Sequence, residues 1–131
     1  MVASKSVPSG RCKEHTKQYL LLIHGSEAVE NAMSEQKMGE VMAAFGAYTE
    51  ALKKSGVYVG SNRLQPIATA TTVQVRDGKT SVLNGPYAET REQLGGYYLI
   101  EVPDLVAAND WAARCPSAAF GTIEVRPVWA M

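Results

Sequence analysis

Residues 19–23 read YLLLI, and this run constrains the fold of the chain more than any other segment. Five consecutive apolar residues are too few to cross a bilayer, and they leave no wet side. They suit a strand with both faces covered, ending near Gly25 and Ser26. A second such strand is expected at YYLIEV, residues 97–102, where positions 97–100 again put apolar side chains on both faces. The architecture must therefore cover two sides of one sheet.

Between these strands the pattern changes period. Over Glu35–Lys54 the residues Met38, Val41, Met42, Phe45, Tyr48 and Leu52 recur at three- and four-residue intervals and line one side of a helix. Ser34 caps its start, Glu35 complements the N-terminal dipole, Lys53 and Lys54 suit the other end, and Gly56 offers a left-handed stop. Gly39 and Gly46 each weaken the helix by about 1 kcal/mol relative to alanine, so packing must hold it. GVYVG reads as a short strand, followed by the irregular stretch SNRLQPIAT. In TTVQVRDGKTSVL, Asp77 and Gly78 sit between two β-branched runs and specify a tight hairpin, since both tolerate positive φ.

A polar loop beginning at Asn84 leads to YYLIEV. Asp104 then caps a helix with Leu105, Ala108, Trp111, Ala112 and Cys115 inward, and Pro116 stops it. GTIEVRPV closes the order, with Ile123 and Val125 alternating with Glu124 and Arg126. Strand, helix, strand, hairpin, strand, helix, strand implies an α+β fold of split βαβ, ferredoxin-like layout. Its sheet is largely antiparallel, with two main helices on one face. Helices on one face leave the other bare, and at about 25 cal/mol per Å² a few hundred Å² of apolar surface favours covering it. A homodimer whose sheets face each other is the expected cover.

Length and composition narrow the partners. The 131 residues, 46% hydrophobic and 20% charged, make one soluble domain, residues 17–131, behind an arm of residues 1–16 that has no apolar period and contains Pro8 and Gly10. Thirteen basic residues balance thirteen acidic ones, so no summed field draws the chain to nucleic acid or to an anionic membrane. The polar start has no apolar signal core, and a cytoplasmic location is expected. Cys12 and Cys115 read as unpaired thiols, and no metal-ligand spacing, phosphate-cradling loop or serine elbow appears; no cofactor is expected.

From TATTVQVRDGKTSVLNGPYAETREQLGGYYLIEV through WAARCPSAAFGTIEVRPV, the sequence resembles the bacterial YCII-related, or DGPF-domain, family. The family's naming tetrapeptide stands here as Asn84, Gly85, Pro86 and Tyr87, and the resemblance runs from about Lys17 to Met131. It implies a dimeric ferredoxin-like fold of the dimeric α/β-barrel type and a function that is mostly unassigned. Two departures matter. Asn84 replaces the family aspartate, and an amide does not titrate near neutrality. The histidine and aspartate suggested as catalytic in relatives, early in the first helix and just after the second, have no counterpart in EQKMGE or CPSAAF.

His24 ends the first strand on the face of Leu20 and Leu22, where it reads either as a general base or as a hydrogen-bonded histidine at a strand end. His15 lies in the arm and reads as solvated. The loop residues Asn84, Tyr87 and Glu89, together with Tyr98 and Arg126, are candidate ligand contacts; a short turn with a solvated charged face accounts for the loop equally well. Glu124 and Arg126 share a strand face and read either as pocket lining or as a structural ion pair. Two functions follow. One is a homodimer binding a small polar or aromatic molecule near His24, with an acid/base or lyase-like reaction. The other is a noncatalytic sensor or interaction module, because the resemblance associates relatives with sigma-factor-dependent transcription.

Overall fold

The structure, a computed structural model, describes residues 16–130. The readings for His15, Cys12 and the rest of residues 1–15 lie outside that range. The apolar run falls in strand β1, Lys17–Gly25, at an inner position of a four-stranded sheet. Tyr19 and Leu21 are almost fully buried on one face, while Leu20 and Leu22 are half-buried on the other. Its companions are β2 (Tyr58–Arg63), β5 (Gln93–Val102) and β6 (Thr122–Pro127), in the order β2-β5-β1-β6, with every neighbour antiparallel. Strands β3 (Thr71–Arg76) and β4 (Lys79–Asn84) form a separate two-stranded sheet. The chain is thus α+β with an antiparallel sheet and three α-helices among the described residues.

Helix α1, Glu27–Asn31, is a short turn of chain directly after β1. Helix α2 is Glu35–Lys54, with the Ser34 hydroxyl accepting from the Lys37 N–H at 3.1 Å. It ends where Gly56 takes φ 75° and the Val57 N–H returns to the Leu52 carbonyl at 3.2 Å. Helix α3, Leu105–Arg114, starts where the Asp104 carboxylate accepts from the Ala107 N–H at 2.9 Å. Tyr48 and Leu52 of α2 meet Ala108 and Ala112 of α3 over Tyr19, Leu21, Tyr98, Ile100 and Val102, and this is the core. The Tyr48 hydroxyl donates to the Trp111 carbonyl at 2.7 Å and ties the helices together.

Three expectations need correction. Leu105 is 48% exposed; the inward stripe of α3 runs through Ala108 and Ala112, and Ala107 takes part in the core instead. The stretch read as irregular from Ser61 continues β2 through Arg63, because pairing with β5 satisfies its backbone whatever its weak strand propensity. Strand β5 starts at Gln93 and takes in the paired glycines. Ile23 pairs with Gly96 and His24 with Leu94, so Gly95 is the extra residue of a bulge. A Cβ on Gly96 would stand 2.8 Å from the Asn62 carbonyl oxygen, so the β2–β5 pairing demands glycine there.

The hairpin turns on Asp77 and Gly78 at φ 52° and 76°, as its two-residue signal requires. Val73 pairs with Val82, and Val73, Val75, Val82 and Leu83 are all 57–61% exposed. At its base the Gly85 N–H donates to the Ala70 carbonyl at 2.7 Å and the Thr72 hydroxyl to the Gly85 carbonyl at 2.8 Å. No helix among the described residues is long and apolar enough to cross a membrane.

Candidate functional site

His24 is placed by β1, and the residue paired with its neighbour Leu22 across the β1–β6 ladder is Glu124. Alternation therefore puts both on the helix-free face. His24 Nε2 lies 3.1 Å from Glu124 Oε1, and the second carboxylate oxygen of Glu124 accepts from the Arg126 guanidinium. Arg126, then His24, hold the Glu124 carboxyl below the usual carboxylate range. An ionised carboxylate only accepts, so Nε2 carries the proton and Nδ1 keeps its lone pair when the ring is neutral. The row Arg126, Glu124, His24 is an oriented histidine with one ring nitrogen free to take a proton.

His24 opens onto a cleft of about 900 Å³ bordered also by Ser26, Thr90, Arg91, Phe120 and Thr122. Its wall is fixed by hydrogen bonds between distant segments. The Glu27 N–H donates to Gln93 Oε1 at 2.9 Å, Gln93 Nε2 donates to the Thr90 carbonyl at 2.6 Å, and Glu27 Oε2 accepts from the Ile67 N–H at 2.9 Å. Glu27 and Gln93 thus pin the start of α1, the 3-10 turn Ile67–Thr69 and the loop of residues 85–92 to one another. The Ser26 hydroxyl caps α1 by accepting from the Val29 N–H at 3.2 Å.

The expected site residues part company. His24 and Arg126 are brought together through Glu124. Tyr98 lies on the opposite, helix-covered face, 6% exposed. The Thr49 hydroxyl donates to the Phe45 carbonyl at 2.9 Å and so accepts from Tyr98 at 2.7 Å, while burial pushes the Tyr98 phenol above its ordinary pKa. Asn84 ends β4, exposed; Tyr87 is 85% exposed, and Glu89 is exposed on the same loop. None of these three borders the His24 cleft, whose loop wall comes instead from residues 90–93. The sequence reading gave Glu124 either to a pocket lining or to an ion pair with Arg126, and not to His24. Its bond to His24 joins positions 100 residues apart, and no local pattern carries that register.

A second, deeper cavity of about 570 Å³ lies on the helix side between the first half of α2 and the strands β1, β2 and β5. It shares Glu27, Gln93 and Phe120 with the cleft as a common wall. A small α+β protein with an antiparallel sheet, an oriented histidine at one strand end and two neighbouring cavities is the class that fold and site define.

The family model of the YCII-related domain matches residues 18–131. This chain belongs to the YCII-related family. It is also similar to an uncharacterized protein of Rhizobium meliloti, 36% identical over 112 residues that cover 84% of this chain and 90% of the relative.

Proposed function

We propose that this protein binds a small polar or aromatic molecule in the His24 cleft, and that it does so as a homodimer of ferredoxin-like subunits in which His24 transfers a proton. The observation that carries the reading is the 3.1 Å contact between His24 Nε2 and Glu124 Oε1 beside an open cleft. An ionised Glu124 fixes the ring and stabilises the imidazolium once formed, which is what an acid/base or lyase-like step needs from a second group. Arg126 keeps Glu124 charged. The sheet order and the two main helices on one face support the ferredoxin-like assignment.

Dimerisation is supported by the surface left over. Leu20, Leu22, Tyr97 and Leu99 lie on the helix-free face, and the hairpin carries its valines largely exposed. A two-stranded hairpin is marginal by itself in water, so an apolar stripe on one calls for a cover. A second chain supplies one of matching chemistry.

The alternative is a noncatalytic sensor or interaction module, favoured by the 67% exposure of the Arg126 side chain, which suits a surface ion pair. A thermal-shift screen of small metabolites separates the two, because a compound that binds only the native state raises the melting temperature. A stabilising compound converted by the wild type and left unconverted by His24→Ala supports the acid/base reading. Equal conversion by both proteins removes His24 from the chemistry, and binding without conversion favours the sensor.

A further inference from the structure

The helix-side cavity has a composition of its own. Met33, Met38, Met42, Phe45, Phe120 and Ile23 supply its apolar walls, and its size lies within the range of sites that enclose small ligands. Methionines are polarizable and adaptable, and they make favourable contacts with aromatic rings. Helix α2 buries only Tyr48 and Leu52, both in its second half, so its first half roofs the cavity without filling it.

The lining holds one buried hydroxyl without a protein partner and two charged side chains, exposed Arg63 and half-buried Glu30, that form no ion pair among the described residues. Ser117 is 6% exposed, and among the described residues its hydroxyl has no hydrogen-bond partner. Buried hydroxyls are nearly always satisfied, so this one is completed by a water or by a bound group. Among the described residues the exposed Arg63 guanidinium meets the Met42 thioether, a weak acceptor, at 3.6 Å. The Glu30 carboxylate forms no ion pair among the described residues, and its Oε2 lies 3.0 Å from where a Cβ on Gly25 would stand. Glu27, the other carboxylate in the lining, already accepts from Ile67.

The two free charges are of opposite sign and stand on opposite sides of the cavity. Arg63 pairs with Gly96, and Gly96 with Ile23, so the backbones at Arg63 and at the end of β1 are separated by two strand spacings, roughly 10 Å. Ser117 belongs to the Glu30 end: its carbonyl oxygen and the Gly25 Cα lie 3.3 and 3.4 Å from the point where a Cβ on Gly121 would sit.

We infer that this cavity binds a small zwitterion with an aromatic body, an aromatic α-amino acid or a close relative. Its carboxylate pairs with Arg63, its ammonium group with Glu30 and the Ser117 hydroxyl, and its ring lies among the methionines. A simple carboxylate leaves Glu30 facing the ligand unpaired, and a simple amine does the same to Arg63; each costs part of the binding. The site is distinct from the His24 cleft and makes no use of His24.

Titration calorimetry on the full chain with L-phenylalanine, 3-phenylpropanoate and 2-phenylethylamine tests the assignment. L-Phenylalanine is expected to bind saturably and about tenfold or more tighter than either truncated probe, the scale of one lost charged hydrogen bond. Arg63→Gln should weaken L-phenylalanine and 3-phenylpropanoate and leave 2-phenylethylamine unchanged, while Glu30→Gln should do the converse. Neither side chain belongs to the buried core, so both variants keep the fold, which circular dichroism checks. His24→Ala should bind L-phenylalanine as the wild type does, so failure of the proton-transfer reading leaves this one standing. Absence of saturable L-phenylalanine binding, equal affinity for all three probes, or loss of binding in His24→Ala overturns the inference.

Discussion

The two faces of the four-stranded sheet are built to different standards. Under α2 and α3, Leu21, Leu52, Ile100 and Ala108 are 0% exposed, and Tyr48 packs edge-on against Tyr98 at 5.2 Å between ring centroids. On the other face Leu20, Leu22, Tyr97 and Leu99 are half-buried beside His24, Glu124 and Arg126, and the separate hairpin sheet leaves its valines largely bare. The first face is complete among the described residues, whereas the second mixes apolar and titratable groups and finds no cover among them. The core and the His24 row thus lie on different faces, and substitutions on the two should be felt in different measurements.

Ile100→Ala gives the largest expected effect. Removing a fully buried side chain from the helix-covered face costs about 2–5 kcal/mol, read from the urea midpoint. Gly96→Ala comes next, because its Cβ would stand 2.8 Å from the backbone oxygen of Asn62 and the two strands must part to admit it. A loss of about 1–3 kcal/mol is expected in the same assay. Tyr48→Phe leaves the Trp111 carbonyl without its 2.7 Å donor and should cost about 1–2 kcal/mol. A hairpin substitution, Val82→Asp, should change the stability of an isolated subunit by no more than about 0.5 kcal/mol. Its effect is expected in assembly instead. If Val82→Asp unfolds the chain as Ile100→Ala does, the division between the faces fails.

The smallest effect concerns acid titration. Glu124 titrates below the usual carboxylate range because the folded state favours its charged form through Arg126 and then His24. That stabilisation is complete above the unfolded-state value and is lost as pH falls through the lower folded value. Carboxyl chemical shifts should report a higher Glu124 midpoint in Arg126→Gln and a smaller rise in His24→Ala. An unchanged midpoint in both variants would mean that the row Arg126, Glu124, His24 does not form in solution.

Much of the fold was legible because it rests on local periods. The alternation in β6, the three-four spacing of α2 with Ser34 before it and Gly56 after it, and the Asp77-Gly78 turn are written over spans shorter than the elements themselves. The bulge at Gly95 and the close approach of Gly96 to Asn62 depend on the registers of β5 with β1 and β2, which no local pattern carries. Helix α1 escaped notice because five residues hold barely one period. The site was less legible. His24 stood out by its place at a strand end, whereas its partner Glu124 depends on the register between β1 and β6. The cavity under α2 was hidden for the opposite reason: Met38, Val41, Met42 and Phe45 match a core stripe, and sequence alone does not say whether a stripe meets side chains or a void.

Sedimentation equilibrium of the wild-type chain at micromolar concentration tests most directly whether the helix-free face is an interface. A species of twice the chain mass, reduced to one chain by Val82→Asp without loss of circular dichroism, is the predicted result. A stable species of one chain mass for the wild type, with the hairpin valines and the face around Leu20 and Leu22 left in water, would contradict it.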